Sequence, residues 1–157
     1  MSETTGATGA SHEEMGFSGK RACDIVGISY RQLDYWDRQG VVSPSLQSAH
    51  GSGTQRLYSY RDLVRLRVVK SILDAGVQLK NARKAIEYLR EDQGTDWQTA
   101  SIVLAEGNSI LARDGDALID LVRHGQGVLN IVPLGSVVGE VRDRIDDPSL
   151  RRASGGD

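Results

Sequence analysis

Cysteine, phenylalanine and proline are scarce in this 157-residue sequence, with one Cys, one Phe and three Pro. The lone thiol, Cys23, excludes an internal disulfide and any zinc site built from several cysteines. His12, His50 and His124 are scattered, so no cluster of metal ligands is visible. No nucleophile–base pairing or paired carboxylate stands out, and G-Q-G at 125–127 lacks the rest of a dinucleotide fingerprint. Neither an enzyme nor a cofactor is expected. Aromatic residues make up only 5%, so the core must be chiefly aliphatic. No apolar run approaches the roughly 20 residues of a bilayer span, and MSETTGATGASHEEM has neither the basic nor the apolar region of a secretory signal. The expected location is the cytoplasm, with no membrane partner.

The net charge of −2 hides an asymmetry. Residues 17–94 carry 13 Lys/Arg against 8 Asp/Glu, whereas residues 95–157 carry 6 against 10. A basic segment inside an acidic chain points to a localised anionic partner.

Four segments follow from composition and pattern. Residues 1–16, rich in Gly, Ser, Thr and Ala, and 147–157 read as disordered tails. Between them, 17–94 read as helices broken by turns, and 95–146 as a small α/β domain. Ser18 is placed to cap a short helix through Asp24, with Ala22, Cys23 and Val26 inward. Gly27 breaks it, Ser29 caps a second helix, and Gly40 ends that one. Two short helices about a glycine turn form a helix-turn-helix signal. The stretch VVSPSLQSAHGSGTQRLYS then reads as a β-hairpin wing tipped by Gly51-Ser52-Gly53. Ser59 and Asp62 open a third helix as a capping box, with Leu63, Leu66, Val69 and Leu73 as its inward stripe. A fourth helix carries Leu79, Ala82, Ile86 and Leu89. Beyond it, Ser101–Ala105 and Ser109–Ala112 suggest a hairpin. Helix Asp116–His124 follows, burying Ala117, Leu118, Leu121 and Val122, then an apolar strand, Val128–Leu134, and a last helix with Val137, Val138, Val141 and Ile145. The fold class is α+β: a winged helix-turn-helix followed by a β-hairpin–α–β–α unit.

On the second helix Arg31, Tyr35 and Arg38 fall at i, i+4 and i+7, along one face. Arginines bond guanine edges or phosphates, and a tyrosine hydroxyl reaches phosphate. Gln32 offers the amide that reads adenine. In the wing, Arg56 and Tyr58 alternate with Leu57, giving one basic and aromatic strand face. Lys80 sits in the first turn of the fourth helix, where free N–H groups already favour phosphate. The bland alternatives are a solvated helix face and a plain surface hairpin. Cys23 reads as a small core residue rather than a redox sensor.

The runs ISYRQLDYWDRQGVV and GTQRLYSYRDLVRLRVVKSILDAGVQLKNARKAI resemble the winged helix-turn-helix domain of MerR-family transcription regulators, over residues 17–92. The GISYRQLDYW run and the wing look most like actinobacterial MerR-like regulators, some linked to cell-division genes. The resemblance implies that Arg31 and Gln32 face bases and that Tyr35 and Arg38 touch the DNA backbone. Arg56 and Tyr58 would hold the wing on DNA, Lys80 would contact phosphate, and Trp36 would anchor the helix in the core. It further implies a homodimer on a palindromic promoter site in double-stranded DNA, in the nucleoid, with RNA polymerase as a possible second partner.

Two positions depart from the family pattern. Asp34 stands where many members have a basic residue, and its carboxylate is expected to bond Arg31 or Arg38, or to accept from a cytosine amine. After the fourth helix, Gly94-Thr95-Asp96 replaces the long dimerisation helix and no heptad follows. Dimerisation is therefore assigned to residues 97–147. The rival reading is a protein-docking module acting on polymerase or another regulator, with weak DNA affinity.

Overall fold

Short helices need their free end groups satisfied, and in this chain neighbouring side chains do it. The computed structural model describes residues 15–48, 55–91, 97–105, 108–124 and 127–150. They divide into two units, one up to Leu63 and again from Arg144, the other Val64–Asp143.

In the first unit, strand β1 (Gly16–Ser18) leads into α1 (Gly19–Val26). Ser18 caps α1, its hydroxyl accepting from Arg21 N–H at 3.2 Å. Gly27 closes it in the left-handed region at φ 85°, where a side chain would be strained. Helix α2 (Tyr30–Arg38) opens with a full capping box: Ser29 Oγ accepts from Gln32 N–H at 3.1 Å and Gln32 Oε1 from Ser29 N–H at 3.0 Å. Strand β2 (Leu57–Ser59) pairs antiparallel with β1, Phe17 opposite Tyr58. Leu57 also bridges Gln47, which joins the two arms of the wing, while the wing's glycine tip lies outside the described residues.

Helix α3 (Tyr60–Asp74) has the expected cap. Ser59 Oγ accepts from Asp62 N–H at 3.1 Å and Asp62 Oδ2 from Ser59 N–H at 2.9 Å. The same oxygen accepts from the Ser45 N–H at 2.8 Å and hydroxyl at 2.7 Å, so a buried carboxylate also fixes the start of the wing. The core of this unit gathers Phe17, Ala22, Ile25, Val26, Leu33, Trp36, Val41, Tyr58 and Leu63. At its carboxyl end, Arg144 donates to the carbonyls of Asp24 and Ile25, and Arg21 donates to Ile145 O at 3.1 Å. The two arginines thus exchange caps between the ends of α1 and α6 (Leu134–Asp146).

The second unit is built on a three-stranded antiparallel sheet in the order β4–β3–β5, with β3 Ser101–Ala105, β4 Asn108–Ala112 and β5 Val128–Pro133. Ser101, Ile102, Val103 and Leu104 are all buried, so central β3 is covered on both faces. Helix α4 (Leu79–Glu91) buries Ala82, Ala85, Ile86 and Leu89 and packs beside β4, and α5 (Gly115–His124) packs on β3 and β4. At the start of α6 the chain passes so close to Gln98 that a Cβ on Gly135 would lie 2.6 Å from the Gln98 carbonyl oxygen. Glycine is needed there.

Four features differ from the sequence expectation. Gly16, placed in a tail, belongs to β1, and residues 148–150, placed in the other tail, form a helical turn. Residues 1–14 and 151–157 lie outside the described residues. Helix α3 is buried on more than one side, with Val64, Val68 and Ile72 inside as well as Leu63, Leu66 and Val69, while Leu73 is only half-buried. Such a helix is a core helix rather than a one-striped surface one. In α5, Val122 is 49% and Ile119 53% exposed, and Ala117 and Leu118 are half-buried.

Candidate nucleic-acid interface

Helix α2 sorts its side chains into three stripes. Leu33 and Trp36 are buried. Tyr30, Asp34 and Asp37 form a second stripe at i, i+4 and i+7. Arg31, Tyr35 and Arg38 form a third, about 100° further round. Arg31 and Arg38 are exposed, and Tyr35 is 47% exposed. Among the described residues, Arg31 has no ion-pair partner. Arg38 is paired by Nη2 with Asp34 Oδ2 at 3.0 Å, yet its side chain remains 69% exposed. Asp34 thus pairs with Arg38, one of the two arginines expected, and additionally with Arg56.

Three expected DNA contacts are placed differently. Tyr58 is fully buried, so its ring is core rather than surface. Among the described residues its hydroxyl has no hydrogen-bond partner, and burial pushes the phenol well above its ordinary pKa. Arg56, only 11% exposed in its side chain, turns inward to α2. Its Nε donates to Asp37 Oδ2 at 2.8 Å, its Nη2 to Asp34 Oδ1 at 2.5 Å and its Nη1 to the Tyr30 hydroxyl at 2.8 Å. Burial opposes its charge, but the bonds to Asp37 and Asp34 outweigh that and hold the guanidinium more firmly protonated than usual. The alternation of Arg56 and Tyr58 does put them on one strand face; that face points into the unit. Gln32 spends its amide oxygen on the capping box, so it does not present the donor–acceptor pair that adenine reading requires.

The remaining candidates stand where the pattern put them. Lys80 is exposed in the first turn of α4. Trp36 is 3% exposed and anchors α2. Cys23 is buried, and desolvation, helped by Asp24, pushes its thiol up to about 11. A protonated, covered thiol is inert at neutral pH. Sequence reasoning missed the role of Asp37. Its spacing from Tyr30 and Asp34 was the available signal.

A capped helix with an outward cationic face, a buried tryptophan and a bridged wing behind it is the geometry of a helix-turn-helix reading head. The sequence profile described as "MerR HTH family regulatory protein" matches residues 17–89. The chain carries a MerR-family helix-turn-helix domain. This is a DNA-binding, transcription-regulating type of domain. The chain is also 42% identical over 147 residues to uncharacterised HTH-type transcriptional regulators of Mycobacterium tuberculosis and Mycobacterium bovis. That match takes in 92% of this chain and 64% of theirs, so the chain spans a little under two thirds of the length of these relatives. The HTH-type transcriptional regulator GlnR of Bacillus anthracis is 29% identical over 70 residues, 45% of this chain and 50% of that protein. Among the described residues, no helix is long and apolar enough to cross a membrane.

Proposed function

We propose that the chain is a sequence-specific, MerR-type transcription regulator that works on promoter DNA in the cytoplasm, at the nucleoid. Residues 17–94 serve as the reading head and 95–146 as a dimerisation or sensing domain. In this reading α2 enters the major groove. Arg31 reads base edges, Tyr35 and Arg38 hold phosphates, and the wing arms at Gln47 and Leu57 lie over the flanking backbone or minor groove. Lys80 contributes a phosphate contact of its own on α4. The observation that carries the reading is the outward face of α2, where Arg31, Tyr35 and Arg38 are exposed while the other two stripes are engaged within the protein.

A homodimer on an inverted repeat fits a domain of this size, and helix packing is the better assignment for its contact. The free edge of β5 is blunted: Ile131 N–H is taken at 2.7 Å by the Asn130 side chain, and Pro133 brings no donor. RNA polymerase is the natural second partner of a promoter-bound regulator.

The test is selection of DNA fragments by the purified protein, with molar mass measured in parallel. The expected result is an inverted repeat bound by a dimer, with Arg31→Ala weakening specific binding about tenfold or more and leaving the melting temperature unchanged. Weak, salt-sensitive, sequence-blind binding by a monomer would overturn the reading and favour protein docking. That second reading draws on Ile119 and Val122, the half-exposed apolar pair on α5.

A further inference from the structure

Helix α2 is electrically neutral taken alone, with Arg31 and Arg38 against Asp34 and Asp37. A neutral helix is a poor element to bring up to a polyanion. The charge that tips the balance comes from outside it. All three guanidinium nitrogens of Arg56 donate to α2, each to a different side chain of the Tyr30, Asp34, Asp37 stripe. Its charge centre also lies 5.7 Å from the centre of the Tyr30 ring. Asp34 divides its two oxygens, Oδ1 to Arg56 and Oδ2 to Arg38. Arg56 therefore carries part of the charge that Arg38 would otherwise have to neutralise, which leaves Arg38 with donors facing outward.

Resting on the DNA-binding reading above, we infer that Arg56 is a positioning residue and internal counter-ion of the recognition helix rather than one of its DNA contacts. It compensates Asp37, shares Asp34 with Arg38, fixes the helix against the wing strand, and makes the face bearing Arg31 and Arg38 net positive. The planar fork of arginine meets three acceptors at fixed angles, and an ammonium on a flexible stem does not. Lysine at this position is accordingly no substitute.

The experiment measures affinity for a DNA fragment selected by the parent protein as a function of salt. The slope of log affinity against log salt counts the phosphates neutralised and changes by about 0.9 for each one lost. Arg56→Met is expected to weaken binding about tenfold with an unchanged slope, because Asp37 is left uncompensated beside the DNA and Asp34 falls to Arg38 alone. Arg56→Lys is expected to remain weak. Adding Asp34→Asn and Asp37→Asn to Arg56→Met is expected to restore affinity to within about threefold, again with the parental slope. If the single variant does not fold, the triple variant, which leaves no lone charge at the junction, is compared with the parent directly. A slope flatter by about 0.9 in the folded triple variant makes Arg56 a phosphate contact and overturns the inference. So does failure of the folded triple variant to recover affinity. Absence of any selective binding by the parent overturns the DNA-binding reading itself, and this inference with it.

Discussion

At the α2–β2 junction of the first unit, Asp34, Asp37, Tyr30 and Arg56 meet through hydrogen bonds of 2.5–2.8 Å. In the second unit, β3 buries Ile102, Val103 and Leu104 in succession between two partner strands. Hydrogen bonds of charged groups are directional, and burying such groups costs much of what their attraction returns. Apolar burial has no direction and is nearly all gain. The junction therefore fixes geometry and β3 supplies stability, so changes in the two regions should be felt in different measurements.

Leu104→Ala sharpens the comparison most. Leu104 is fully buried in the central strand, and truncation removes its transfer energy and leaves a cavity. A loss of about 2–5 kcal/mol in a denaturant titration is expected. A loss below about 1 kcal/mol would remove β3 from its place as the stabilising centre of its unit.

Asp62→Ala comes next. Its carboxylate accepts from the Ser59 N–H, the Ser45 N–H and the Ser45 hydroxyl, and is 1% exposed. Removal orphans a helix cap and a loop tether together, for an expected loss of about 2 kcal/mol. Asp62→Asn keeps one acceptor oxygen and should recover part of it. Equal losses for the two variants would mean that charge, rather than the bonds, does the holding.

These two positions mark what the sequence made legible. The caps at Ser18, Ser29 and Ser59–Asp62 were readable because they are local: a small acceptor side chain, three residues, and an N–H. Helix α6 was readable from its period, with Val137, Val138, Val141 and Ile145 all buried. Strand β1 was not, because three residues hold too little pattern and its partner lies about 40 residues away. At the site, alternation showed that Arg56 and Tyr58 share a face but not which side of the strand is inward. That depends on the sheet partner and on Asp34 and Asp37 of another element. The outward face of α2 needed only helical spacing, so Arg31, Tyr35 and Arg38 lie where the sequence put them. The tie between Arg56 and Asp37 is long-range and was not visible.

Arg38→Ala gives the smallest change in stability and the clearest contrast. Arg38 and Arg56 share one carboxylate, but their side chains are 69% and 11% exposed. An exposed i, i+4 pair contributes little, so the change is expected to stay within about 0.5 kcal/mol in a thermal melt. Removing Arg38 also leaves Asp34 compensated, since Arg56 stays on Oδ1. On DNA, where Arg38 is proposed to hold a phosphate, the salt slope should fall by about 0.9. Arg56→Met should do the reverse, keeping the slope and lowering stability, because it leaves the partly buried Asp37 without its partner and Asp34 with Arg38 alone. Two arginines on one aspartate with opposite signatures would separate a DNA contact from the residue that positions it. A slope unchanged by Arg38→Ala would take Arg38 off the DNA and leave Arg31 and Tyr35 as the face that binds.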